Sequence, residues 1–231
     1  MIFNPRSLEK PQIFCITNFI IGLTLLPTSA SVLTFESTTF SGNGNGVDSD
    51  YGDRITATTM GNFSYGGAGG FTPNIEVSYL GSSGTGLSHW TTGYNDLIGV
   101  AYHETDFENS FTIQLSADAG ILAQLNGFDL GNFGGAAVVL PTVQVLGSGG
   151  AILFSETNVS LDPNVDPHLS FDFPTPLESS ELTISIDTTG LGGNSDNIGI
   201  DNIGFSQIPE PSSAIFVTLA SLGLAFKRRL R

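Results

Sequence analysis

The chain has 231 residues, with 22 Asp and Glu against 7 Lys and Arg, a formal charge of −15 and a single cysteine, Cys15. That charge balance repels a phosphate backbone and excludes nucleic acid as a partner. One cysteine excludes a disulfide framework and a cysteine-ligated zinc site.

Residues 1–30 read as a secretory signal peptide. Arg6 and Lys10 form a positive start, Ile13 to Leu26 an apolar stretch, Pro27 a break, and Thr28-Ser29-Ala30 a small-residue cleavage region. Cys15 lies inside this segment, so residues 31–208 hold no cysteine. Those residues are the length of one domain. They carry 20 of the acids and one base, Arg54, for a formal charge of −19. Acidity of this degree disfavours anionic polysaccharide and keeps an exported protein soluble.

Period-2 alternation recurs through residues 31–208, and no long helical period does. Leu33 and Phe35 alternate with Thr34 and Glu36. The same pattern covers Ile75 to Tyr79, Phe111 to Leu115, Val143 to Val145, Leu169 to Phe173 and Leu182 to Ile186. Further apolar runs lie at Leu97 to Tyr102, Ile121 to Leu130 and Ala151 to Phe154. About ten half-buried strands joined by turns rich in Gly, Asn, Asp and Ser predict an all-β, two-sheet antiparallel β-sandwich of jelly-roll type. A signal helix is expected before it and a hydrophobic helix after it. In the last strand Ile198 and Ile200 fall on even positions, but Ile203 and Phe205 on odd ones. This change of phase at Asp201-Asn202 predicts a bulge or a strand start there.

Carboxylates at Asp48, Asp50 and Asp53 sit in one glycine-containing loop, where they could converge on a hard cation or remain solvated loop acids. The opening Leu33-Thr34-Phe35-Glu36 and the closing Asp201-Asn202-Ile203-Gly204-Phe205 resemble the seam of jelly-roll sandwiches, carbohydrate-binding modules among them. In those proteins the first and last strands lie side by side with Ca2+ often nearby. The resemblance implies Ca2+ held by Glu36 and Asp201 with Asp50 or Asp53 and loop carbonyls. Trp90 and Tyr94, with Tyr102, lie in a polar, glycine-containing context. They are either a platform for a neutral glycan or packing at the sandwich edge. His89, His103 and His168 have no zinc spacing, and no serine sits in a nucleophile elbow. No catalytic residue is assigned.

The chain ends with Pro209-Glu210-Pro211, an apolar run from Ala214 to Phe226, and a basic cluster of Lys227, Arg228, Arg229 and Arg231. The two prolines keep the backbone extended, the run is short for a membrane span, and the basic end favours the cytoplasmic side. Residues 209–231 resemble the PEP-CTERM sorting signal of Gram-negative surface proteins, with Leu230 as one departure inside the basic cluster. The resemblance implies recognition by an exosortase at the inner membrane, removal of the tail, and delivery of the body to the cell surface or extracellular matrix. The expected protein is then a non-enzymatic structural or adhesive module of the envelope or exopolysaccharide matrix, with Ca2+ and neutral glycan as candidate ligands. The alternative is a secreted carbohydrate-active hydrolase on the same scaffold, since a pair of close carboxylates can cleave a glycosidic bond.

Overall fold

The computed structural model describes residues 30–36, 40, 42–66 and 71–210. The signal segment up to residue 29, Pro211, the apolar run and Lys227, Arg228, Arg229 and Arg231 lie outside the described residues. The strands are β1 (Ser31–Leu33), β2 (Thr59–Met60), β3 (Phe63–Ser64), β4 (Ile75–Gly81), β5 (Ser88–Trp90), β6 (Val100–Tyr102) and β7 (Ser110–Ala117). They continue as β8 (Ile121–Asn132), β9 (Val138–Gly147), β10 (Ala151–Leu161), β11 (Leu169–Ser179), β12 (Glu181–Asp187) and β13 (Ile198–Pro209). Short 3-10 turns occupy Phe133–Gly135, Ser148–Gly150 and Gly192–Asn197. Among the described residues no helix is long and apolar enough to cross a membrane.

Two antiparallel sheets face each other. The first runs β11-β8-β13-β6-β5 with β1 also on β13, the second runs β10-β9-β12-β7-β4, and β2-β3 is a separate hairpin. Successive long strands change sheet at β7 to β8, β8 to β9, β10 to β11, β11 to β12 and β12 to β13, so the chain wraps around one core as a jelly roll does. Alternation decides which face each strand buries. Ile75, Val77 and Tyr79 of β4 are buried while Glu76, Ser78 and Leu80 between them are exposed. Phe111, Ile113 and Leu115 of β7 and Leu182, Ile184 and Ile186 of β12 join the same core as Ile198, Ile200, Ile203 and Phe205 of β13.

The change of phase in the last strand is a bulge. The β13–β8 register shifts between Asp201 and Gly204, and Asn202 adopts φ 51°. β6 pairs with Gly199 and Ile200 before the bulge, and β1 pairs with Ile203 to Phe205 after it. Asp201 therefore sits in the notch between β6 and β1. The alternation from Leu33 to Glu36 predicts a longer first strand than β1. The strand stops because Phe35 turns to φ 44° and the Tyr51 hydroxyl accepts the Thr34 and Phe35 N–H groups, each at 3.3 Å. Similarly, only Val100 to Tyr102 of the run from Leu97 is strand. Tyr94 to Leu97 is a tight turn closed by Leu97 N–H to Tyr94 O at 3.2 Å, with Asn95 at φ 60°.

Candidate functional site

The first sheet carries a second, smaller apolar cluster on the face away from the main core: Tyr94, Leu97 and Val100, with Trp90 packed against it. Two glycines make room for it. Gly131 of β8 and Gly199 of β13 are register partners, and their neighbours Leu130, Ile198 and Ile200 point into the main core, so both glycines face the other way. A Cβ on Gly199 would lie 2.8 Å from Tyr94 Cε1 and 2.7 Å from Val100 Cγ2. A Cβ on Gly131 would lie 2.9 Å from Leu97 Cδ1. The smooth patch lets the loop from Thr91 to Gly99 lie flat on the sheet.

That loop forms one wall of a hollow of about 190 Å3 lined by Trp90, Tyr94, Tyr102, Glu104, Phe133, Asp196 and Asn197. Strand pairing brings distant segments together here, since Tyr102 is opposite Gly199 and Asn132 is opposite Ile198. Trp90 stands edge-on to Tyr102 at 6.0 Å and to Phe133 at 5.9 Å, and Tyr94 lies 5.5 Å from Phe133 and 6.5 Å from Tyr102. Gly93, at φ 94°, brings its backbone so near the Phe133 ring that a Cβ would collide with it. Tyr94 and Tyr102 are buried, Trp90 is half-buried and Phe133 is exposed.

The polar side of the hollow is acidic. The Tyr102 hydroxyl donates to Glu104 Oε2. Burial raises the pKa of Tyr102, and the Glu104 carboxylate adds to the rise. Burial likewise raises the pKa of Asp196, with Asp106 and Glu104 contributing repulsion. Asp196 Oδ1 is buried without a hydrogen-bond partner, and so is Trp90 Nε1. Trp90, Tyr94 and Tyr102 stand out in the sequence, but Phe133, Asp196 and Asn197 do not, because nothing local marks them. Glu104 follows a histidine that turns the opposite way. His103 is buried beside Phe111 at 5.7 Å, its Nδ1 is 3.1 Å from Thr105 O, and burial lowers its pKa.

The second polar place is the β1–β13 seam. Thr34, Glu36, Asp96, Leu97, Ile98, His168, Asp201 and Asn202 line a hollow of about 230 Å3. Asp201 is only 3% exposed. Burial pushes its carboxyl up to about 8 against the pull of the Asn202 N–H bond, and the charges of Asp129 and Glu36 add to the rise. That bond is 2.7 Å long, and Asn202 Nδ2 donates to Asp129 Oδ2 at 2.8 Å. His168 Nδ1 is 2.9 Å from Asp96 Oδ1, and Nε2 is 3.9 Å from Asp129 Oδ1. Burial works against the charged imidazole, but the Asp96 bond and the Asp129 charge outweigh it and raise its pKa.

Of the four expected metal ligands, Glu36 and Asp201 meet at this seam, whereas Asp50 and Asp53 belong to another part of the molecule. Asp53 Oδ1 accepts the Val77 N–H of β4 at 2.6 Å, and its N–H donates to Asp50 O. Tyr51 sets this placement. Its side chain is fully buried, its carbonyl accepts the Tyr79 hydroxyl at 2.6 Å, and the flanking carboxylates are carried to the β4 side. Among the described residues no group of three or more His, Cys, Asp or Glu side chains is arranged to hold a metal ion. Ca2+ at the seam would therefore draw most of its ligands from carbonyls and water. Arg54, the one base of the body, is held by Glu76 at 2.8 Å and Asp118 at 2.7 Å. Pro209 ends β13 opposite Ile121, and the Glu210 N–H donates to Gly120 O at 2.9 Å.

The chain is thus a two-sheet antiparallel β-sandwich with an aromatic-walled, acidic hollow on one sheet. No family model matches it, and no curated protein does. Among solved structures it is similar to the lectin binding domain of Lectinolysin complexed with Lewis b, at 12% identity and TM-score 0.30 over 57% of this chain and 92% of that one. It is also similar to an arabinose-bound α-L-arabinofuranosidase, at 12% identity and TM-score 0.32 over 76% of this chain and 29% of that one.

Proposed function

We propose that the protein is an exported, non-enzymatic, carbohydrate-binding β-sandwich that serves as a structural or adhesive component of the cell surface or extracellular matrix. The observation that carries this reading is the meeting of Trp90, Tyr94, Tyr102 and Phe133 with Glu104, Asp196 and Asn197 around one hollow. Aromatic faces pack against the C–H face of a sugar ring, and carboxylate and amide groups bond its hydroxyls. The volume is below the roughly 300–1,000 Å3 of sites that enclose drug-sized ligands, so it suits one ring of a longer glycan. Arg54 is engaged by two carboxylates elsewhere, and among the described residues no Lys, Arg or His lines the hollow to anchor a sulfate, phosphate or uronate.

The test is affinity electrophoresis of the full chain through gels containing neutral or basic polysaccharides. Retardation is expected in at least one, and Trp90→Ala should weaken it about tenfold or more, a loss near 1.4 kcal/mol. Retardation in none removes the reading. Reducing ends released in parallel incubations would instead favour the hydrolase.

Export rests on the ends of the chain. Among the described residues the last backbone hydrogen bond is that of Glu210 to Gly120, and β13 ends at Pro209, so a processing enzyme acting on Pro209-Glu210-Pro211 would cut next to the end of that strand. Mass spectrometry of the secreted form should find the chain ending near Pro211. An intact tail on all secreted protein would refute exosortase processing. Ca2+ belongs to the proposal at the seam, where Glu36 and Asp129 crowd the buried Asp201 and a hard cation would relieve their repulsion. Millimolar Ca2+ should then raise the melting temperature, and Asp201→Asn should abolish the rise. A melting curve indifferent to Ca2+ would remove the ion.

A further inference from the structure

Resting on the glycan reading of the same hollow, we propose that its ligand is a sugar bearing a free ammonium group, as in a de-N-acetylated amino-sugar polymer. The argument begins with the imbalance of charge. Glu104 and Asp196 line the hollow, and Asp106 acts on Asp196 from beside it. Among the described residues the lining contains no Lys, Arg or His, and Arg54 is held by Glu76 and Asp118. Glu104 receives the neutral Tyr102 hydroxyl, and Asp196, which shares a side-chain hydrogen bond with Asp106, keeps Oδ1 buried without a hydrogen-bond partner. Like charges gathered at one partly open hollow repel one another, and a cation placed between them relieves that repulsion.

The walls supply the second half of the argument. The face of an indole or phenol ring attracts an ammonium group lying within about 6 Å of its centre. Here Trp90, Tyr94 and Tyr102 border the same space as the carboxylates. An ammonium can therefore bond a carboxylate and face a ring at once. Neither a hydroxyl nor an acetamide brings a charge to both. The whole body adds to the selection: its charge of −19 draws a polycationic chain toward it and speeds encounter.

Trp90 is the only tryptophan in the chain, so its fluorescence reports this hollow and no other place. The full chain, kept in mild detergent, is titrated at pH 6.5 with the β-1,4-linked tetramers of glucosamine, N-acetylglucosamine and glucose, at low salt and at 0.5 M NaCl. The glucosamine tetramer is expected to change Trp90 emission with a Kd at least tenfold below that of either other tetramer, and added salt should narrow the gap. Glu104→Gln and Asp196→Asn, on separate segments, should each reduce the ratio at least threefold. An unchanged emission spectrum of each unliganded variant serves as the control for folding. Equal affinities for the three tetramers would overturn the ammonium preference and leave the glycan reading standing. A preference that survives both substitutions would assign it to the acidic surface at large and overturn this proposal. No response to any tetramer would overturn both.

Discussion

Asp201 is a carboxyl group placed where ionisation is costly. In the unfolded chain an aspartate ionises near pH 4, whereas in the folded protein burial delays this to about 8. The folded state therefore holds its proton longer. The contribution of Asp201 to stability is full below pH 4 and is lost as pH rises toward 8. Asp201→Asn keeps an acceptor for the Asn202 N–H and removes the penalty. It should raise stability by on the order of 2 kcal/mol at pH 9 and change little at pH 4, as read from urea unfolding in Ca2+-free buffer. A pH-independent effect would mean that Asp201 ionises freely in the fold. The residue was visible in the sequence through the change of phase beside it. Its neighbours Asp129 and His168 were not, because they reach the notch from β8 and from the segment before β11.

At the scale of elements, the strands were legible wherever one face is buried and the other is wet, as in β4, β7 and β12. β10 extends to Leu161, well past the apolar run at Ala151 to Phe154, because an edge strand is held by backbone pairing to β9 and not by its own burial. Most of its residues are exposed. β11 runs on through Pro174 and Pro176, where its register with β8 shifts between Asp172 and Leu177. Proline is tolerated there because β11 is the other edge. The pairing of glycines across β8 and β13 is the element-level feature on which the site depends. Gly199→Ala would push a methyl group into Tyr94 and Val100. It should cost about 1–3 kcal/mol in urea unfolding and shift the emission of Trp90, which packs on the same cluster. An unchanged emission maximum would show that the loop does not depend on the glycine floor.

For the whole molecule the dominant quantity is charge. Residues 31–208 carry a formal −19, and with Arg54 already paired, the acids repel one another across the surface. Screening should stabilise the fold. Raising NaCl from 20 mM to 0.5 M should add about 1 kcal/mol, or roughly 2–4 °C in Tm, and a fall in Tm would contradict a repulsive surface. Charge, strand faces and the change of phase at Asp201-Asn202 were determined by the sequence alone, because each depends on composition or on immediate neighbours, whereas the pairing of β13 with β8 made that change a bulge. Only the tertiary structure decided that Phe133, Glu104 and Asp196 join Trp90 and Tyr94, since pairing of β6, β8 and β13 brings those segments together across long stretches of chain. It also decided that Asp50 and Asp53 stand apart from Asp201. The buried Tyr51 ring ties their loop to the core, and spacing along the chain carries no record of which side of the sandwich a loop will be pulled toward.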